Sequence, residues 1–98
     1  MGRKPMSVGK LIKCLRAVKD MSQMELAEVI GYSRSYVSLL ESDKRKPFAE
    51  DLAKIAEHFG LPVELFAEGA MDSVQNRRIL ADRLADIICG LDTEPAQT

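Results

Sequence analysis

Apolar residues recur along this chain at spacings of three and four, the period of helices, and never alternate as strands do. Val8, Leu11, Ile12, Leu15 and Val18 predict an amphipathic helix over residues 7–19, with Ser7 as its N-cap and Lys10, Lys13 and Lys19 on the opposite face. Ser22 opens a second helix, and Glu25 three residues later completes a capping box. Leu26, Ala27 and Ile30 form its inner side, and Gly31 ends it. Ser33 starts a third helix whose Val37 and Leu40 share one side, while Arg34, Ser35 and Ser38 point away and Leu39 lies at the edge. Serine is a mediocre helix former, so that outer face serves something other than helix stability.

The run SDKRKP (42–47) is a basic turn. A fourth helix over 48–59 carries Leu52, Ile55, Ala56 and Phe59 and stops at Gly60. Pro62 opens a short fifth helix, PVELF, and the AEGA stretch (67–70) is expected to be a hinge. A last helix, about 73–90, places Leu80, Leu84, Ile87, Ile88 and Leu91 on one stripe. The expected fold class is all-α.

Size and composition narrow the picture. Ninety-eight residues fit one domain with a helical appendage. No apolar run approaches the ~20 residues of a membrane span, and MGRKPMSVGK lacks the apolar centre of a signal peptide. A soluble, cytoplasmic protein is expected, with no membrane contact. Cys14 and Cys89 lie far apart within helical patterns and are expected to be reduced core thiols. With His58 as the single histidine, the sequence assembles neither a metal set nor a Cys/His pair. It offers no phosphate-cradling glycine loop either, so no enzyme and no cofactor is expected.

The net charge of −1 conceals a strong asymmetry. Residues 1–46 hold ten Lys/Arg against five acids, a balance of +5; residues 47–98 hold four against ten, a balance of −6. A face steered toward a polyanion has this character.

The stretch SQMELAEVIGYSRSYVSLLESDKRKP resembles the helix-turn-helix of the Xre family, the lambda-repressor-like and Cro-like DNA-binding domains. The resemblance spans about residues 8–66 and includes the Ser-Gln opening of helix two, small Ala27, Gly31 in the turn, the Ser-Arg-Ser start of helix three, Glu41, the basic loop and the LxxIAxxF helix. The backbone physics agrees, because crossing helices need a small residue and a left-handed turn favours glycine. Tyr32 departs from the family's smaller apolar residue.

The resemblance implies a five-helix domain, placed over 7–69, that binds double-stranded DNA; beyond it, the apolar pattern predicts one C-terminal helix over 70–91, and a flexible tail over 92–98 is expected. It implies that helix three enters the major groove with Arg34, Ser35, Ser38 and Leu39 at base edges. Arginine suits the O6 and N7 acceptors of guanine. Leu39 departs from the family's polar residue, and either touches a thymine methyl or contributes nothing. Gln23 contacts the phosphate backbone and braces the reading helix. Tyr36 bonds a phosphate or packs on the domain flank. Lys44, Arg45 and Lys46 are natural phosphate partners, and Arg3 and Lys4, in a basic arm over 1–6, either reach around the duplex or stay solvated.

The C-terminal stripe lies outside the resemblance and is too apolar for a lone helix in water. Homodimerisation through Leu80, Leu84, Ile87, Ile88 and Leu91, with Val63, Leu65 and Phe66 joining, is the first expectation. Symmetric dimers read two half-sites about one helical turn apart. The function expected is a dimeric repressor on a palindromic operator. The alternative is an antitoxin-type regulator whose last helix holds a toxin or other protein partner, and a third class would make only protein contacts.

Overall fold

The computed structural model of the protein describes the backbone of residues 6–92 and side chains through residue 87. Five α-helices follow one another: α1 (Val8–Val18), α2 (Gln23–Ile30), α3 (Arg34–Glu41), α4 (Ala49–Phe59) and α5 (Val74–Asp92). Two 3-10 turns, Val63–Phe66 and Ala70–Asp72, sit between α4 and α5. Among the described residues there is no strand.

Local chemistry sets the first three helices. The Ser7 hydroxyl accepts from the Lys10 amide, Ser22 and Glu25 form the reciprocal capping box, and the Ser33 hydroxyl accepts from the Tyr36 amide. Each satisfies a donor that the first helical turn leaves unpaired. Gly31 ends α2 at φ 80°, a left-handed conformation open to glycine at little cost, and the amides of Gly31 and Tyr32 both return to the Ala27 carbonyl.

The core draws Leu11, Ile12 and Leu15 from α1, Leu26, Ala27 and Ile30 from α2, and Val37 and Leu40 from α3. Ile55, Ala56 and Phe59 of α4 close it. Burying one such aliphatic side chain is worth about 1.5–3 kcal/mol, so this cluster holds the α2–α3 pair in place. The start of α1 lies hard against the end of α3. A Cβ on Gly9 would stand 2.3 Å from the Leu40 carbonyl oxygen, so only glycine fits there. Asp43, at φ 63°, stitches the same junction by accepting from the Ser7 hydroxyl at 2.5 Å and the Gly9 amide at 3.0 Å.

Four expectations change here. The fifth helix is a single 3-10 turn. Residues 67–70 are not a hinge, because they lead into a second 3-10 turn that buries Met71, and the Asn76 amide group donates to the Ala70 carbonyl at 3.0 Å. Phe66, 1% exposed, and Leu80, 7% exposed, belong to the domain's own core and are unavailable as pairing surface. Leu65 is buried with them, while Leu84 is half-buried and packs on the same core. The reason is that the second 3-10 turn swings α5 back against α1. Cys14 is exposed, since it falls beside the lysine face, roughly 100° around α1 from the Leu11–Ile12–Leu15 stripe. Arg3, Lys4, Ile88, Cys89, Leu91 and the tail lie outside the residues whose side chains are described.

Candidate nucleic-acid interface

The short α3 turns Tyr36, Val37, Leu40 and Glu41 inward. Arg34, Ser35 and Ser38 are exposed, and Leu39 is 38% exposed. The four residues expected at base edges therefore share one face. The loop that follows presents Lys44, Arg45 and Lys46, all exposed. Lys46 approaches Glu68 at 3.6 Å, but both side chains are almost fully solvated, so the pair restrains the lysine little.

One flank of α3 is held by a chain of polar bonds. Glu41 is 7% exposed and accepts from Arg16 Nε at 2.7 Å and Nη2 at 3.1 Å. Arg16 also donates to the Met21 carbonyl at 2.8 Å. The hydrogen bonds that Arg16 donates to Glu41 raise the guanidinium pKa above its already high ordinary value, against the opposing effect of burial, so Arg16 keeps its charge. Glu41 accepts a third bond from Gln23 Nε2 at 3.0 Å. A carboxylate offers only acceptors, so the Gln23 amide must turn its NH2 toward Glu41 and its carbonyl outward. That carbonyl accepts from Arg34 Nη1 at 3.2 Å. The first residue of α2 thus orients the first residue of α3 across the turn.

The other flank is aromatic. Tyr36 donates its hydroxyl to the buried Asp51 carboxylate at 2.8 Å. Burial first, and this bond second, push the phenol pKa upward. Of the two roles expected of Tyr36, its geometry matches packing on the flank, since its one hydroxyl proton is donated to Asp51 and not to a phosphate in this structure.

Arg34, Ser35, Ser38, Leu39 and Gln23 are brought together, with Lys44, Arg45 and Lys46 at the far end of the same helix. Ile87 is half-buried on α5. Three contributors were not singled out from sequence: Arg16 and Asp51, and Tyr32, noted only as a departure from the family. The signal for Arg16 was available, since it is a charged residue bordering the apolar stripe of α1. Among the described residues no three metal-ligating side chains come together.

Comparison with known proteins follows the same outline. The family model described as "Helix-turn-helix" matches residues 7–66. The chain is 36% identical over 58 residues to an immunity repressor protein of Bacillus phage phi105, covering 59% of this chain and 40% of that protein. It is 39% identical over 49 residues to the ImmF control region 10 kDa protein of the same phage, covering 50% and 54%. It is also 31% identical over 88 residues to the HTH-type transcriptional regulator PrpR of Mycobacterium tuberculosis, covering 90% and 17%. The chain thus spans from about a sixth to about half the length of these relatives. Among solved structures, the P22 c2 repressor in complex with synthetic operator 9T superimposes with a TM-score of 0.60 at 21% identity, covering 64% of this chain and 96% of that one. That likeness concerns the fold alone, which is all-α in both. The family model covers well over half of the sequence, and its limits coincide with the four-helix core and the first 3-10 turn: the chain belongs to the helix-turn-helix family.

Proposed function

We propose that this chain is a sequence-specific, double-stranded-DNA-binding transcription regulator that works by occupying an operator. One observation carries the reading. Arg34 stands at the exposed start of α3 with its guanidinium held by Gln23, whose amide is oriented by the buried Glu41–Arg16 pair. A donor fork fixed at the tip of a groove-sized helix is what bidentate recognition of guanine requires. Ser35, Ser38 and Leu39 offer the remaining base-edge contacts, and Lys44, Arg45 and Lys46 supply phosphate contacts that set register. The phage immunity repressor and the PrpR regulator among the relatives support regulation as the purpose of binding. Occupancy alone blocks a promoter, so the role needs no enzymatic activity and no cofactor.

Repression by a symmetric dimer on a palindromic operator is the finer form of the proposal. Val63, 43% exposed, and Val74, 64% exposed, leave apolar surface outside the core, and α5 continues beyond it. The same surface would suit an unlike protein partner, as in an antitoxin. Among the described residues no helix is long and apolar enough to cross a membrane, which agrees with a cytoplasmic working place.

The test compares wild type with Arg34→Ala on a selected duplex and on random duplex. The variant should lose about 1–3 kcal/mol of preference for the selected duplex while melting as wild type does. Equal discrimination by both proteins would remove Arg34 from the reading.

A further inference from the structure

Tyr32 and Tyr36 are the only two tyrosines of a chain that has no tryptophan, and they stack on each other. Their ring centroids lie 4.2 Å apart at an interplanar angle of 30°. Tyr36 is 8% exposed and pinned at its hydroxyl by Asp51, itself 1% exposed. Tyr32 is 43% exposed and sits in the turn directly before Ser33, the N-cap of α3. The Cζ of Arg45 stands 5.3 Å from the centroid of the same Tyr36 ring. One buried, anchored ring thus carries an exposed phenol and an exposed guanidinium.

The place of this cluster on α3 matters. Taking Arg34 as zero and about 100° per residue, Ser38 lies near 40°, Ser35 near 100°, Leu39 near 140° and Tyr36 near 200°. The aromatic pair therefore borders the Ser35–Leu39 edge of the outer face, and the Gln23–Arg34–Glu41 chain borders the opposite edge. A helix seated in a major groove has a phosphate wall along each flank. Gln23 serves one flank. Nothing assigned so far serves the other except Arg45, whose long side chain would otherwise swing freely.

Resting on the DNA-binding reading, we propose that the Tyr32 hydroxyl and the Arg45 guanidinium, both seated on the Tyr36 ring, form a phosphate clamp along the flank of α3 opposite Gln23. The phenol donates a neutral hydrogen bond to a phosphate oxygen, and the guanidinium donates a charge-assisted one. Tyr36 and Asp51 touch no DNA and act as positioning residues, which explains why the Tyr36 hydroxyl is buried against a carboxylate. The two halves of the clamp carry different signatures. A guanidinium on phosphate releases counterions and contributes to the salt dependence, whereas a phenol contributes affinity without it.

The experiment measures equilibrium binding of the full chain to one selected and one random duplex of equal length across a salt series, for wild type, Tyr32→Phe and Arg45→Ala. Tyr32→Phe is expected to bind both duplexes roughly three- to tenfold more weakly, with an unchanged salt slope. Arg45→Ala is expected to weaken both and to flatten the log–log slope by about 0.9. Tyr32 is exposed, so its loss of a hydroxyl leaves folding intact, and melting curves check this. Tyr32→Phe binding both duplexes as wild type does, or weakening on the selected duplex alone, overturns the clamp. A wild-type chain that binds neither duplex overturns the DNA reading itself, and is thereby told apart.

Discussion

Replacing Glu41 by alanine should cost the fold about 3 kcal/mol, a large share of a small domain's stability. Glu41 accepts three hydrogen bonds, two from Arg16 and one from Gln23, and its side chain is 4% exposed. The variant leaves the Arg16 guanidinium, only 17% exposed, facing an empty site. Breaking one partner of a buried pair costs about 3–5 kcal/mol. The low end applies because Arg16 keeps its bond to the Met21 carbonyl and reaches some solvent. At about 4–8 °C per kcal/mol for a domain of this size, the melting midpoint falls by about 12–24 °C. Far-UV circular dichroism under heat and urea reads this directly. The pair Arg16→Met with Glu41→Leu should lose clearly less than the sum of the two single changes, since neither then strands a buried charge. A Glu41→Ala midpoint within about 4 °C of wild type would refute the reasoning.

Other consequences are separable. Burial and the Asp51 bond raise the Tyr36 pKa in the folded protein above the ordinary value near 10. Its contribution to stability is therefore fully present below pH ~10 and is lost as pH rises through the folded pKa, because the unfolded chain releases that proton first. Urea titrations above pH ~10 should show the decline, and Tyr36→Phe should abolish its Tyr36 part. Leu80→Ala should destabilise the domain by about 2–5 kcal/mol, whatever the oligomeric state, because Leu80 is a core residue. Pairing is better probed at Ile87, half-buried on α5: Ile87→Lys should halve the mass seen by sedimentation if α5 pairs, and an unchanged mass removes α5 from the interface.

Short-range chemistry was the legible part of this protein. Ser7, Ser22 with Glu25, Ser33 and Gly31 act within four residues of themselves, so their roles follow from spacing alone. The outer face of α3 was legible for the same reason, since helical geometry fixes which of Arg34, Ser35, Ser38 and Leu39 stand together. What spacing does not carry is contact between distant residues. Arg16 meets Glu41 across 25 positions, and Tyr36 meets Asp51 across 15. Burial of two carboxylates is stable only because those partners exist. The C-terminal stripe follows the same rule: spacing marks Leu80 as apolar but not what covers it, and the turn at Met71 folds α5 back onto α1 so that Leu80 joins the domain's own core.

Base reading by the outer face of α3 is open to a direct selection experiment. The folded protein is used to select duplexes from a fully random double-stranded library, in parallel with Arg34→Ala. Wild type should enrich one motif containing a guanine, with half-sites about one helical turn apart, and Arg34→Ala should lose enrichment at that guanine. Recovered sequences indistinguishable from the input library, from a protein shown to be folded, would contradict base reading.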